Sequence, residues 1–122
     1  MFPYSARVRR EGSTGRALSC FWLGSASGPP RLMLVGELDL VTVDQARAAI
    51  SDAQDEMAEV ICDLGDVFFI DIAGLRILLD AADRARRTGG RLTIASCPAI
   101  VPRMLEALGV RDALEIRGVL AA

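Results

Sequence analysis

The sequence contains no histidine and no lysine, so all 14 of its basic side chains are arginines. The lack of histidine excludes His-based acid–base catalysis, phosphohistidine and the most common zinc ligand. The lack of lysine excludes Schiff-base chemistry and a phosphate-binding lysine of the Walker type. Because no nucleophile–base pair is apparent either, the sequence predicts a protein that is not an enzyme and uses no metal or cofactor.

Long hydrophobic runs and a strong charge of one sign are also missing. The chain has 122 residues and a net charge of −2, which gives no reason to expect nucleic acid or an anionic membrane as a partner. No apolar run approaches the ~20 residues that span a bilayer, and the N-terminus has no hydrophobic signal-peptide region. We therefore expect one globular cytoplasmic domain that binds neither membrane nor nucleic acid.

The three cysteines are Cys20, Cys62 and Cys97, an odd number without CxxC spacing. This pattern argues against a disulfide scaffold and against a zinc site. The simplest interpretation is that all three are small buried hydrophobes. The alternative is a redox couple of Cys62 and Cys97, which fall in or just after strands that are candidates for neighbours. Such a couple requires α-carbons within about 7 Å of each other.

The N-terminal part of the chain divides into an arm and a hairpin. Residues 1–12 carry three arginines without a clear period, and we predict a flexible basic arm there, with an edge strand as the alternative. The domain itself is predicted to comprise residues 13–122. Its first two apolar runs, 16–23 and 31–36, flank a Gly/Ser/Pro linker, a pattern that predicts an antiparallel hairpin.

After the hairpin, helical and strand patterns alternate. The predicted helices are 42–56, 72–87 and 99–108, and the predicted strands are 59–64, 91–96 and 113–118. Thr42 and Gln45 have the spacing of a capping box at the first helix, and Asp71 suits the N-cap of the second. A hairpin followed by βα repeats implies parallel crossovers, so the predicted fold is α/β, a small mixed sheet with helices packed on it.

Four segments at consistent spacing carry a resemblance to a known family. They are "VGELDLVTVDQA" (35–46), "VICDLGDVFFIDIAGLRIL" (60–78), "TGGRLTIASCP" (88–98) and "RMLEALGVRDALEI" (103–116). Together they resemble the STAS family, which contains the anti-anti-sigma factors, bacterial antagonists of anti-sigma factors. The likeness covers roughly residues 16–117. It implies a single STAS-like domain with a binding face rather than an active site.

The resemblance also implies a regulatory site, and this sequence departs from it. In the family, a Ser or Thr directly after the turn's aspartate is phosphorylated by a partner that is both anti-sigma factor and kinase, and phosphorylation ends binding. The matching positions here are Ile72 and Ala73, which carry no hydroxyl. The expected function is therefore antagonism of an anti-sigma factor without phosphorylation control at this site. The expected partner-binding residues are Asp39, Phe68, Asp71, Ile72, Ala73, Gly74 and Leu75.

Other interpretations stay open at this point. Asp71 serves equally as a plain helix cap, Ile72 as a core residue, and Gly74 as a close contact with either the sheet or a partner. The same fold also serves as a scaffold or subunit of transport ATPases and signalling assemblies, where missing hydroxyls are unremarkable. A redox-responsive antagonist using Cys62 and Cys97 is a further alternative. The sequence leaves a homodimer open.

Overall fold

One mixed β-sheet of six strands runs through the part of the chain that the computed structural model describes, residues 8–9, 17–24 and 28–121. The strands are β1 (Val8–Arg9), β2 (Leu18–Leu23), β3 (Arg31–Leu38), β4 (Glu59–Ile70), β5 (Arg91–Ser96) and β6 (Glu115–Ile116). The helices are α1 (Val43–Glu56), α2 (Ile72–Thr88) and α3 (Ile100–Ala107), and a short 3₁₀ turn spans Arg111–Ala113.

The strands lie in the sheet in the same order as in the chain. The pairs β1–β2 and β2–β3 are antiparallel, and the pairs β3–β4, β4–β5 and β5–β6 are parallel. Each parallel connection carries one of the three helices, as a parallel crossover requires. The structure thus confirms the predicted α/β class and the hairpin followed by βα repeats.

The arm predicted for residues 1–12 is only partly covered by the described residues. Within it, Val8 and Arg9 pair with Cys20 and Ser19 at the edge of the sheet. Residues 1–7 and 10–12 lie outside the described part, so the division into an arm and a domain of residues 13–122 stays a prediction. No helix among the described residues is long and apolar enough to cross a membrane.

Helix α2 follows the sequence pattern closely. Leu75, Leu78, Ala82 and Ala85 recur with the 3.6-residue period of a helix and are all buried on one face. The helix ends at Gly89, whose φ of 77° is the left-handed conformation that glycine adopts most easily. These residues belong to one hydrophobic core between the helices and the sheet, and the core also contains all three cysteines.

Two local predictions were wrong. The capping box does not form, because the Gln45 amide donates to the backbone carbonyl of Thr42 at 3.0 Å, while the Thr42 hydroxyl oxygen accepts from the Asp39 amide at 3.1 Å. The Gln45 Oε1 atom has no hydrogen-bond partner among the described residues. Strand β4 continues six residues beyond the predicted 59–64. It does so because β3 runs beside it up to the pair Leu38–Ile70 and supplies backbone partners.

Candidate functional site

Strands β3 and β4 end side by side, and this brings two distant loops together. Leu38 pairs with Ile70 at the end of the parallel ladder, and the amide of Asp71 donates to the carbonyl of Leu38 at 3.2 Å. The segments that leave these strands, 39–42 and 71–75, therefore meet at the same end of the sheet. All seven residues expected to bind a partner lie in or next to these segments.

Asp71 connects the two segments. Its Oδ1 atom accepts a hydrogen bond from the Gly74 amide at 2.9 Å, so Asp71 is the N-cap of α2, as predicted. Its Oδ2 atom accepts a second bond, at 3.0 Å, from the amide of Leu40, which is 31 positions earlier in the chain. One carboxylate therefore holds both the first turn of the helix and the loop after β3.

Gly74 lies where α2 rests on the end of β3. A Cβ atom at this position would be 2.2 Å from the carbonyl oxygen of Leu38 and 2.9 Å from its side chain. The close approach that the sequence indicated is thus to the sheet. Gly74 and Leu75 are both buried, so their side-chain positions face the fold and not the solvent.

Asp39 shapes the loop from inside. Only 2% of its surface is exposed, and its Oδ1 atom accepts hydrogen bonds from the amides of Val41 and Thr42 at 2.9 and 3.1 Å. Thr42 is buried as well, and its hydroxyl accepts from the Asp39 amide at 3.1 Å. These bonds give Asp39 a structural role in the turn, whereas the resemblance had placed it among the partner-binding residues.

Five apolar side chains are exposed around this end of the sheet. Phe68 is 75% and Ile72 50% exposed, and both were expected at the binding site. The structure adds Leu40, Val41 and Phe69, of which Leu40 is 73% exposed. We call these five side chains the apolar patch. Ala73 lies beside it and is half-buried.

Sequence reasoning missed three members of the apolar patch, although a signal was available for two of them. Leu40 and Val41 follow an aspartate at the end of a strand, where the chain turns and no regular face can bury them. An apolar pair in a turn is therefore a candidate for exposure. Phe69 lies within a continuous apolar run, which gives no indication of which side chains point outward.

The hydroxyl inventory of this site is short. Among residues 39–42 and 68–75, Thr42 is the only Ser, Thr or Tyr. Its side chain is buried, and its hydroxyl already donates to the Glu37 carbonyl. An enzyme that transfers phosphate would therefore find no accessible hydroxyl acceptor in these two segments.

The predicted redox couple does not meet its geometric requirement. Cys62 lies opposite Ile94 on β5, Asp63 lies opposite Ser96, and Cys97 follows Ser96. Cys62 and Cys97 are thus offset by two to three residues along neighbouring strands, which puts their α-carbons about 8 Å apart or more. That exceeds the limit for a disulfide without backbone movement. The redox alternative is therefore not supported by the fold.

The chemistry of the thiols points the same way. All three cysteines are free and buried. Burial raises the pKa of Cys20 and of Cys62 to about 12, and it also raises the pKa of Cys97. Since the thiolate is the reactive form, these thiols are poor nucleophiles near neutral pH. In residues 17–24 and 28–121, no cluster of three or more Cys, Asp or Glu side chains is arranged to hold a metal ion.

We expect the three thiols to be unreactive in the folded protein. At pH 8 a thiol-specific chromogenic reagent should label almost none of them within minutes, because they are buried and protonated, and should label all three in guanidinium chloride. Treatment with a mild oxidant before denaturation should leave the count at three. Rapid labelling of the native protein, or loss of two thiols after oxidation, would contradict this expectation.

Comparison with known proteins adds a family and a set of folds. The family model described as the STAS domain matches residues 27–121. The anti-sigma factor antagonist SpoIIAA in its unphosphorylated form is 21% identical, with a TM-score of 0.62 over 80% of this chain and 87% of that chain. The phosphorylated form of SpoIIAA from Bacillus is 21% identical, with a TM-score of 0.60 over 80% and 90%. The protein TM1081 is 18% identical, with a TM-score of 0.64 over 80% and 79%.

Proposed function

The chain belongs to the STAS domain family, and on this premise we propose that it is an anti-sigma factor antagonist whose binding is not controlled by phosphorylation at the usual position. It would bind a kinase-type anti-sigma factor in the bacterial cytoplasm and thereby release the sigma factor. The similarity of its fold to that of SpoIIAA supports the class of function. The absence of phosphorylation control is supported by the apolar patch at the start of α2, where no accessible hydroxyl is present.

The apolar patch is the part of the site suited to binding. Burying apolar surface contributes roughly 25 cal/mol per Å², and exposed apolar groups that are grouped together are typical of interaction sites. Of the expected binding residues, we propose that Phe68, Ile72 and Ala73 contact the partner. Asp39, Asp71, Gly74 and Leu75 would then support those contacts from within the fold.

Release of the partner needs another control in this protein. A phosphate adds ≈ −1.5 to −2 charges, which is enough to expel a partner from an apolar interface. Since Ile72 and Ala73 cannot accept one, we propose that occupancy is set by the concentrations of the two proteins. The antagonist would be competent to bind whenever it is present.

Binding to purified kinase-type anti-sigma factors, with and without ATP, tests this proposal. We expect a complex of the same affinity in both conditions and no transfer of radiolabelled phosphate to this chain. The variant Ile72→Ser serves as the control, and ATP should release this variant from the anti-sigma factor. Label on a Ser or Thr near the turn, or failure to bind any such anti-sigma factor, would overturn the proposal.

The scaffold alternative predicts different partners. A stable complex with a membrane-associated transport ATPase, and none with an anti-sigma factor, would support a subunit role. The apolar patch could bind a partner in either the subunit role or the antagonist role. The missing hydroxyl removes phosphorylation control only if the protein is an antagonist. A homodimer is compatible with both, and we propose no enzymatic activity for either.

A further inference from the structure

We propose that Asp71 is a positioning residue that joins the two halves of the apolar patch, and that the assembled patch receives an apolar, uncharged segment of the anti-sigma factor. This inference rests on the proposed function for the identity of the partner. Its structural half concerns the free protein. The two carboxylate bonds of Asp71, to Gly74 and to Leu40, carry it.

The bond to Leu40 goes beyond what a helix cap needs. The Oδ1 atom alone caps α2 through Gly74, and this is sufficient for the helix. The Oδ2 atom of Asp71 accepts a hydrogen bond from the Leu40 amide, the first after Asp39. The next two amides, of Val41 and Thr42, donate to the Asp39 carboxylate. Every amide in the turn 40–42 thus has a carboxylate acceptor, and the one at Leu40 is supplied by the other segment.

This arrangement fixes where the apolar side chains lie. Leu40 belongs to the loop after β3 and Ile72 to the first turn of α2, and each is at least half exposed. Because Asp71 directly precedes Ile72 and binds the backbone of Leu40, it keeps the two side chains at a set separation. Without that bond, the complex would have to order the loop at the moment of binding, and this costs affinity.

The same bonds determine the chemistry of the partner. Each oxygen of Asp71 already accepts a backbone amide, and Asp39 is almost fully buried. The exposed members of the apolar patch carry no charge. A charged partner segment seated on these side chains would therefore lose its hydration without gaining an ion pair from them, whereas burial of an apolar segment is favourable. We infer a complex whose affinity changes little with salt.

Two substitutions separate the bond between the Leu40 amide and Asp71, which we call the clasp, from the cap that Asp71 makes on Gly74. Asp71→Asn has the same shape and still caps a helix, but its amide nitrogen is a donor and cannot accept from Leu40 while its oxygen accepts from Gly74. Asp71→Ser can still cap the helix with its single hydroxyl oxygen, but the serine side chain is too short to reach the Leu40 amide as well. The matched control is Asp83→Asn, which removes a charge from the solvent-facing side of the same helix, where Asp83 pairs with Arg87.

In both Asp71 variants we expect the Leu40 amide to exchange with deuterium about tenfold faster, while the Gly74 amide keeps its protection. Affinity for the anti-sigma factor should fall about tenfold, and the dissociation constant of the wild type should vary less than threefold between 50 and 500 mM NaCl. The Asp83 control should match the wild type in all three measurements.

The possible outcomes separate the inference from the proposed function. Unchanged exchange at Leu40 in the Asp71 variants would overturn the clasp in the free protein. Tight binding that weakens steeply with salt would overturn the apolar partner while leaving the antagonist function standing. Failure of the wild type to bind any anti-sigma factor would overturn the proposed function and the docking role together, whereas the exchange measurement would still decide the clasp.

Discussion

Replacing Gly74 with alanine is expected to destabilise the protein by about 3 kcal/mol and to lower its melting temperature by about 12 °C. The added Cβ atom would lie 2.2 Å from the carbonyl oxygen of Leu38, far inside van der Waals contact. That atom is backbone at the end of a central strand, so it cannot move aside as a flexible side chain would. Alanine favours helices over glycine by about 1 kcal/mol, which is too little to offset the clash.

The strain would be relieved by lifting α2 off the end of β3. This movement stretches the bond from the Asp71 amide to Leu38 and the bond from Leu40 to Asp71, so the apolar patch should be disturbed along with the stability. Thermal and chemical denaturation measure the first effect, and binding to the anti-sigma factor measures the second.

Gly24→Ala is the matched control for Gly74→Ala. A Cβ atom at Gly24 would meet none of the described residues within 4 Å, so this variant should differ from the wild type by less than about 0.5 kcal/mol. If Gly74→Ala were as stable as Gly24→Ala, the close packing of α2 against β3 would be refuted.

The parts of the fold that could be predicted from the sequence depend on local signals. The face of α2 follows from the spacing of its leucines and alanines, its start from Asp71, and its end from the glycines after Thr88. Each signal involves residues within one or two helical turns, where the backbone alone decides what is adjacent. The hairpin and the alternating βα units follow in the same way from runs of apolar residues separated by turns.

The features that could not be predicted depend on hydrogen-bond or packing partners that are distant in the chain, or on partners that compete with a local one. Strand β4 extends to Ile70 because β3 lies beside it. The Thr42 hydroxyl oxygen accepts from the Asp39 amide and does not cap α1. Exposure within the apolar run at Phe68 and Phe69 is decided by the sheet end, which a linear pattern does not reveal.

The candidate site shows the same division. Asp71 was identified as a cap from its position, but its second bond joins it to Leu40, 31 residues away. Asp39 was expected near the partner because of a resemblance, and the structure gives it a buried role in the turn. The sequence therefore named residues that the structure brings together, and it left open which of their side chains reach the solvent. That they bind a partner stays a prediction.

Ile72→Ser is expected to give this protein the phosphorylation switch that the proposed function says is missing at this position. Ile72 is the first residue of α2 and is half exposed, so a serine there would be accessible to a kinase. It would also stand at one of the two positions where the resemblance places the family's phosphoacceptor. Phosphate at a helix N-terminus is favourable for the helix itself, so the fold should stay intact. Its charge would lie within the apolar patch, however, where a bound partner would have to exclude water.

Without ATP, Ile72→Ser should bind the anti-sigma factor within about tenfold of the wild type. With ATP, we expect phosphorylation and a further loss of about 100-fold, equivalent to roughly 2.7 kcal/mol. Ile72→Ala is the matched control, because it removes the same aliphatic side chain but adds no hydroxyl, and ATP should leave its affinity unchanged. Titration of each variant with the anti-sigma factor, with phosphate incorporation followed in parallel, measures both effects. A phosphorylated serine variant that stays bound, or an alanine variant that ATP releases, would show that the start of α2 is not where binding is decided.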